Sequence, residues 1–341
     1  MAKYRRGKKI QPAQLNLHFN VPVGSAVQNS FIDLSQCASL VNRRFYRQGI
    51  AWVVGGIKIV NLSPATAGEI VIGKLPTTWT MANAWVKGFE TWREMNAKAL
   101  EMSDSVRPRF EDFKVYANAA HHTAGYAANL LPRGFTNFAT NVATPGEWEP
   151  SVIRIPDTTT PGTSDAREVL ATGANFPGAG ASGLNAVSLI EGYAASRGLP
   201  NVLDPNRPED ADDAAGIAPQ NWMTAVFNEG TNQDSAVLSD LIDDNNIAPY
   251  PFENATVGGV TFTDTQYPGG ANQLPGIELH DFEVVSTTTV GRTTRLKGGV
   301  FPCGLMCIGT AFFADATDLI VQVQLVPGDH RGYMCTPMTE M

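Results

Sequence analysis

The chain has 341 residues, enough for one large hydrophobic core or two moderate ones. With 43% hydrophobic and 17% charged residues it is not a disordered chain, and no apolar run approaches the 18 residues of a membrane span. A net charge of −8 conceals a polarity. Through Lys58 there are nine bases (Lys3, Arg5, Arg6, Lys8, Lys9, Arg43, Arg44, Arg47 and Lys58) against Asp33 alone, which leaves 16 of the 25 bases and 32 of the 33 acids in the remainder. A basic arm on an acidic body is consistent with phosphate binding at one end of the molecule; a frayed soluble terminus or a nuclear-localisation run accounts for the arm equally well.

The basic start is not followed by an apolar h-region, so a cytosolic-type site of synthesis is expected. The four cysteines form no disulfide framework. Cys303 and Cys307, read as lying on one strand, would be about 13 Å apart, beyond disulfide reach. Free buried thiols are expected.

Past an arm of residues 1–12, Gln14–Val21 alternates polar and apolar as a half-buried strand does. Ile50–Leu62 is β-branched and apolar around Gly55-Gly56, which predicts a buried strand with a bulge or bend at the glycines. Glu69–Leu75 adds a short strand. Thr80–Met102 is the one long helix, with Trp85, Phe89 and Trp92 on one stripe and Lys87, Glu90 and Arg93 on other faces. That stripe is expected to pack on a sheet rather than to stack nucleobases.

Phe110–Ala117 reads as a strand, and the Gly-, Pro-, Thr- and Asn-rich stretch after it as long loops holding short strands such as Ser151–Ile155. Leu184–Ser196 reads as a helix, and Asp204–Ala215 as an exposed acidic loop. The last third is β: Gly276–Thr289, Gly298–Phe313 and Leu319–Val326 are apolar and alternating. No repeat of fixed period is present. The order predicts an all-β, two-sheet antiparallel sandwich of jelly-roll type, a single domain over 13–341 with long insertions over about 123–275 and one prominent helix between strands.

No catalytic constellation emerges. Gly178–Gly183 matches G-x-G-x-x-G, but Pro177 enters it and no buried strand precedes it, so a dinucleotide site is not expected. His121 and His122 are adjacent, which is not the i, i+4 or i, i+2 spacing of metal pairs, and they read as structural. The acidic groups Asp210/Asp212/Asp213 and Asp240/Asp243/Asp244 read as solvated surface, with a structural divalent cation at a subunit contact as the speculative alternative for the second. No other cofactor is expected.

The arm KYRRGKK, the strand-rich body, the tract LPTTWTMANAWVKGFETWREMN with SVRPRFEDFKVYA after it, and the C-terminal QLVPGDHRGYMCTPM together resemble capsid proteins of small circular, Rep-encoding single-stranded DNA viruses of eukaryotes. The resemblance implies a jelly-roll subunit, not an enzyme, that self-assembles into an icosahedral shell and packages single-stranded DNA. Its partners would be itself, the genome and a host receptor of unknown kind. Its location would be the virion, after synthesis in the host cytoplasm and nuclear import in some cases. The nucleic-acid contacts would be Lys3, Arg5, Arg6, Lys8, Lys9, Arg43, Arg44 and Arg47.

The arm is shorter and poorer in arginine than such arms often are. In about 60 copies it would supply about 300 charges against on the order of a thousand phosphates, so Arg43, Arg44, Arg47 and Lys58 would add to the inner face and metal ions or polyamines would supply the rest. The competing reading is a soluble β-sandwich module that binds carbohydrate or another ligand, its basic arm incidental.

Met1–Lys9 has too little apolar content to join a core. Its deletion is expected to leave the Tm nearly unchanged while lowering nucleic-acid content and flattening the salt dependence of binding, by about 0.7 in log–log slope for every phosphate no longer neutralised. Equal nucleic-acid content in truncated and parent protein would remove the arm from packaging.

Overall fold

A computed structural model describes residues 11–62, 67–100, 112–134, 143–156, 164–176, 178–196, 255–257, 260–262, 276–286, 290–314 and 318–340. The protein is mostly β, with several antiparallel sheets. It divides into two compact units. The first comprises Met1–Lys74, Ala127–Trp148 and Glu278–Glu340, and the second comprises Leu75–Tyr126 and Glu149–Ile277. In chain order the second unit starts at Leu75, so the long helix belongs to it.

The first unit holds eight principal strands. They are β1 (Asn16–Val21), β2 (Gln28–Asp33), β3 (Ile50–Val60) and β4 (Gly68–Lys74), then, after the excursion, four that are numbered β10 to β13 below. A nine-residue helix, α1 (Leu34–Asn42), connects β2 to β3. In the second unit lie α2 (Trp79–Leu100), α3 (Ala119–Ala124), β5 (Val152–Pro156), β6 (Ser164–Leu170), β7 (Asn185–Ser188), α4 (Leu189–Ser196), and the short pair β8 (Ala255–Val257) and β9 (Val260–Phe262). The first unit resumes with β10 (Glu278–Val285), β11 (Thr293–Phe301), β12 (Leu305–Ala311) and β13 (Leu319–Leu325).

Pairing of the eight strands is nested and antiparallel: β1 with β13, β2 with β12, β3 with β11, β4 with β10. Further ladders between β13 and β3 and between β12 and β4 collect them into two sheets, ordered β1-β13-β3-β11 and β10-β4-β12-β2. Inward residues of both sheets meet in one core cluster, including Leu17, Phe19, Ile57, Ile59, Val321 and Val323 from the first sheet and Ile32, Ile70, Ile72, Met306 and Ile308 from the second. The edge strands β10 and β11 are also linked, because the Lys297 N–H donates to Asp281 Oδ2 at 2.8 Å.

The predicted irregularity at Gly55 is present. Gln324 pairs with Gly56 but Leu325 pairs with Val54, so Gly55 is the extra residue of a bulge. On its other side β11 skips Gly298, where a Cβ would sit 2.2 Å from the Val54 carbonyl oxygen; only glycine lets the strands approach so closely.

Three sequence expectations are revised. Gly298–Phe313 is two strands in different sheets, because Pro302–Gly304 forms a 3-10 turn with positive φ at Cys303 (55°) and Gly304 (68°). Among its described residues, 112–117 is not a strand but an extended segment that borrows partners: Tyr116 N–H donates to Val169 O, and Ser151 N–H to Lys114 O. Leu184–Ser196 is half helix, since Asn185–Ser188 pairs in parallel with β6 before α4 begins.

In the aromatic stripe of α2, Trp85 and Trp92 are buried and Phe89 is half-buried. Trp85 and Phe89 stack at 5.2 Å between centroids, Trp92 and Phe113 lie at 5.7 Å, and α4 packs on the helix where Gly88 leaves room for Leu189. Trp92 is 8% exposed. Trp92→Ala is expected to cost about 3–5 kcal/mol in a denaturant titration. A loss below about 0.5 kcal/mol, with nucleic-acid binding impaired instead, would favour a base-stacking role.

Candidate functional site

Asp33 organises the site. As N-cap of α1 its Oδ1 accepts from the N–H groups of Ser35 (2.8 Å) and Gln36 (3.2 Å), satisfying donors that the first turn leaves open. Its Oδ2 accepts from Gln48 Nε2 (3.1 Å) and Trp148 Nε1 (2.9 Å). One buried carboxylate thus ties the helix, the strand entry and the 143–148 segment together. Burial pushes its pKa up to about 6, the four hydrogen bonds offsetting part of that effect. The neighbouring Cys37 and Cys303 are free, fully buried thiols with raised pKa values, desolvated first and faced by Asp33 second, which leaves them unreactive.

At its other end α1 stops on Arg43 in the left-handed conformation (φ 52°, ψ 39°), uncommon for a residue with a Cβ. The reversal projects the run Arg43-Arg44-Phe45 outward, all three exposed, while Tyr46 turns into the core. These residues line one side of a cleft of about 220 Å³; Leu40, Pro145, Glu147 and Trp148 are among the others. Phe45 and Trp148 form a tilted ring pair in its lining, with centroids 6.1 Å apart and planes at 56°. Arg331 donates to the Phe45 carbonyl, adding a further cation.

The root of the basic arm is pinned beside this cleft. Arg44 Nη1 donates to Gln11 Oε1 (3.2 Å) and Pro12 O (3.3 Å), and Gln14 N–H donates to Asn42 Oδ1 (3.0 Å). Of the residues expected to bind nucleic acid, Arg43, Arg44 and Arg47 therefore lie on one exposed turn next to the arm's point of attachment. Lys3, Arg5, Arg6, Lys8 and Lys9 lie outside the described residues, as do Asp210, Asp212, Asp213, Asp240, Asp243 and Asp244. Arg43, Arg44 and Arg47 were legible from the excess of bases through Lys58. Trp148 was not, being about a hundred residues away with no local pattern around it.

The paired histidines sit elsewhere, in the second unit. Asn118 caps α3 by accepting from His121 N–H (3.0 Å), and both imidazoles are fully buried. His121 Nδ1 accepts from Ala117 N–H at 3.1 Å. His122 Nε2 lies 2.7 Å from Glu168 Oε2 in a buried contact that has the length but not the alignment of a hydrogen bond. Burial first and Glu168 second push the Tyr116 phenol above its ordinary range. The Gly178–Gly183 turn serves this cluster, since a Cβ on Gly180 would lie 2.5 Å from His122 Cε1.

Among the described residues no group of three or more His, Cys, Asp or Glu is placed to hold a metal ion. What the exposed site offers is the guanidinium groups of Arg43 and Arg44 and the Phe45 ring on one side, with the Glu147 carboxylate among the residues on the other. Comparison of the chain with protein-family models, with curated proteins and with solved structures finds no match.

Asp33→Asn keeps the shape but turns an amide NH2 toward the Gln48 and Trp148 donors, and a loss of about 2–4 kcal/mol is expected. Because the folded-state pKa is raised from 3.8 to about 6, the native protein holds this proton more tightly between those values. Unfolding free energy of the parent relative to the variant should therefore rise by about 2.4 kcal/mol as pH falls from 7 to 4. A difference that stays flat with pH would show Asp33 to be unperturbed.

Proposed function

We propose that the chain is a viral capsid subunit that self-assembles into an icosahedral shell and packages a single-stranded DNA genome. The observation that carries this reading is the nested pairing of eight strands, first with eighth through fourth with fifth, in two sheets that share a core, the first sheet gaining a short fifth strand, Cys335–Pro337, on β3. Nested pairing of that kind supports a jelly-roll reading, an architecture used by coat proteins. In sequence the second unit falls between the fourth and fifth strands, in two pieces on either side of Ala127–Trp148, where such subunits carry long loop insertions. The root of the arm, at Gln11 and Pro12, meets Arg44 of the Arg43–Arg47 turn, which suits backbone neutralisation of a packaged strand. No catalytic role is assigned, and the protein's place is the virion.

Jelly rolls also serve as lectins and ligand-binding modules, and fold alone does not choose between these roles. The Phe45–Trp148 cleft favours such a module as the second reading, with a small anionic ligand as its occupant. Electron microscopy of the purified chain separates the two. Closed shells of uniform diameter that carry nuclease-protected nucleic acid are expected; monodisperse monomers across pH and ionic strength would sink the capsid reading.

A further inference from the structure

Register places a set of cations on the outward face of the β1-β13-β3-β11 sheet. Leu17, Phe19, Ile57, Ile59, Leu296, Val321 and Val323 are buried, so the residues alternating with them point away from the core. Across the four strands these make three rows. His18, Gln322, Lys58 and Arg295 form the central row; Asn16, Gln324, Gly56 and Lys297 lie on one side, and Asn20, Ile320, Val60 and Thr293 on the other. Not one of these twelve positions is acidic. At the β1 edge the Arg133 N–H donates to His18 O at 2.7 Å, which extends the central row by a further cation.

This arrangement is unfavourable by itself. Lys58 and Arg295 are directly opposite on paired strands, where like charges repel. The one acid in the adjoining hydrogen-bond network, Asp281 on β10, has its Oδ2 taken by the Lys297 N–H. Gln322 and Asn16 hydrogen-bond each other at 3.0 Å and supply no charge. Partial burial first, then Arg133 and Lys58, hold the His18 pKa below its ordinary value. A polyanion laid across the face would relieve all of these repulsions at once.

We infer that this sheet face is a contact surface for the sugar–phosphate backbone of single-stranded nucleic acid, with Arg133, Lys58, Arg295 and Lys297 as its phosphate ligands. At about 4.8 Å between strands, the row from His18 to Arg295 spans about 14 Å, enough for more than one phosphate. The twelve outward positions hold no Phe, Tyr or Trp, so bases find no stacking platform and contact is independent of sequence. The inference rests on the packaging reading for its occupant, and it supplies body charge that an arm of five cations lacks.

The test is fluorescence anisotropy of the full unassembled chain with labelled oligo(dT) and oligo(rU) over a salt series. The triple variant Lys58→Gln/Arg133→Gln/Arg295→Gln should lower the log–log salt slope by about 2 for both oligomers, and weaken binding at least tenfold near 0.1 M salt. A charge-matched variant in the second unit, Lys87→Gln/Arg93→Gln/Arg154→Gln, should leave the slope unchanged. In the parent protein, the His18 imidazole resonance, assigned from His18→Gln, should titrate at higher pH once oligomer is bound. That readout holds even if the triple variant fails to fold. An unshifted His18 titration, equal slopes for the two triple variants, a requirement for one base or one sugar, or binding to phosphatidylserine vesicles but not to oligomers would overturn the inference. Absence of shells in the microscope, with this binding intact, would instead remove the capsid reading and leave the surface standing.

Discussion

Register along β3 is the constraint on which the rest of the first unit depends. This strand pairs with β13 on one side and β11 on the other, and its inward Ile57 and Ile59 complete the layer begun by Leu17 and Phe19. A slip by one residue would bury Lys58 and expose both isoleucines, so core burial strongly disfavours it. The Gly55 bulge and the close approach of Gly298 fix where the register changes, beyond the Lys58 row. The apolar core and the cationic outer face are thus two consequences of one alignment.

A second organising element is polar. Asp33 collects four donors from residues as far apart as Ser35 and Trp148, and it does so without exposure to water. A buried carboxylate is tolerable only when its lone pairs are occupied, and these are. Through Trp148 the same group holds one wall of the cleft whose other wall is the Arg43–Phe45 turn. The second unit repeats the theme less completely, with His122 and Glu168 in buried contact beneath a turn that only glycine at position 180 permits.

The proposed packaging role draws these parts into one electrostatic picture. Five cations of the arm, the exposed arginines at its root and the sheet-face row all belong to the first unit, while the chain as a whole is acidic. Net charge therefore misrepresents what a phosphate backbone would meet.

Alternation by itself specified β1 and β13, because a strand with one buried face must repeat every second residue, and the long amphipathic helix was equally legible from Trp85, Phe89 and Trp92. β3 was legible from its β-branched apolar run, which predicted a buried strand, whereas only alternate residues past its glycines are buried. Gly55-Gly56 announced a bulge for the same local reason. Tertiary structure decided the rest. Lys114–Tyr116 has the composition of a strand, yet takes its partners from Ser151 and from the end of β6. Asn185–Ser188 could have continued a helix, but β6 offered it a parallel ladder. Residues 298–313 read as one run until a turn carried the chain from one sheet to the other. The meeting of His18, Lys58, Arg133 and Arg295 has no local signature. Side chains so distant in the chain become neighbours only through strand pairing, which depends on which partners bury one another and not on any window of sequence.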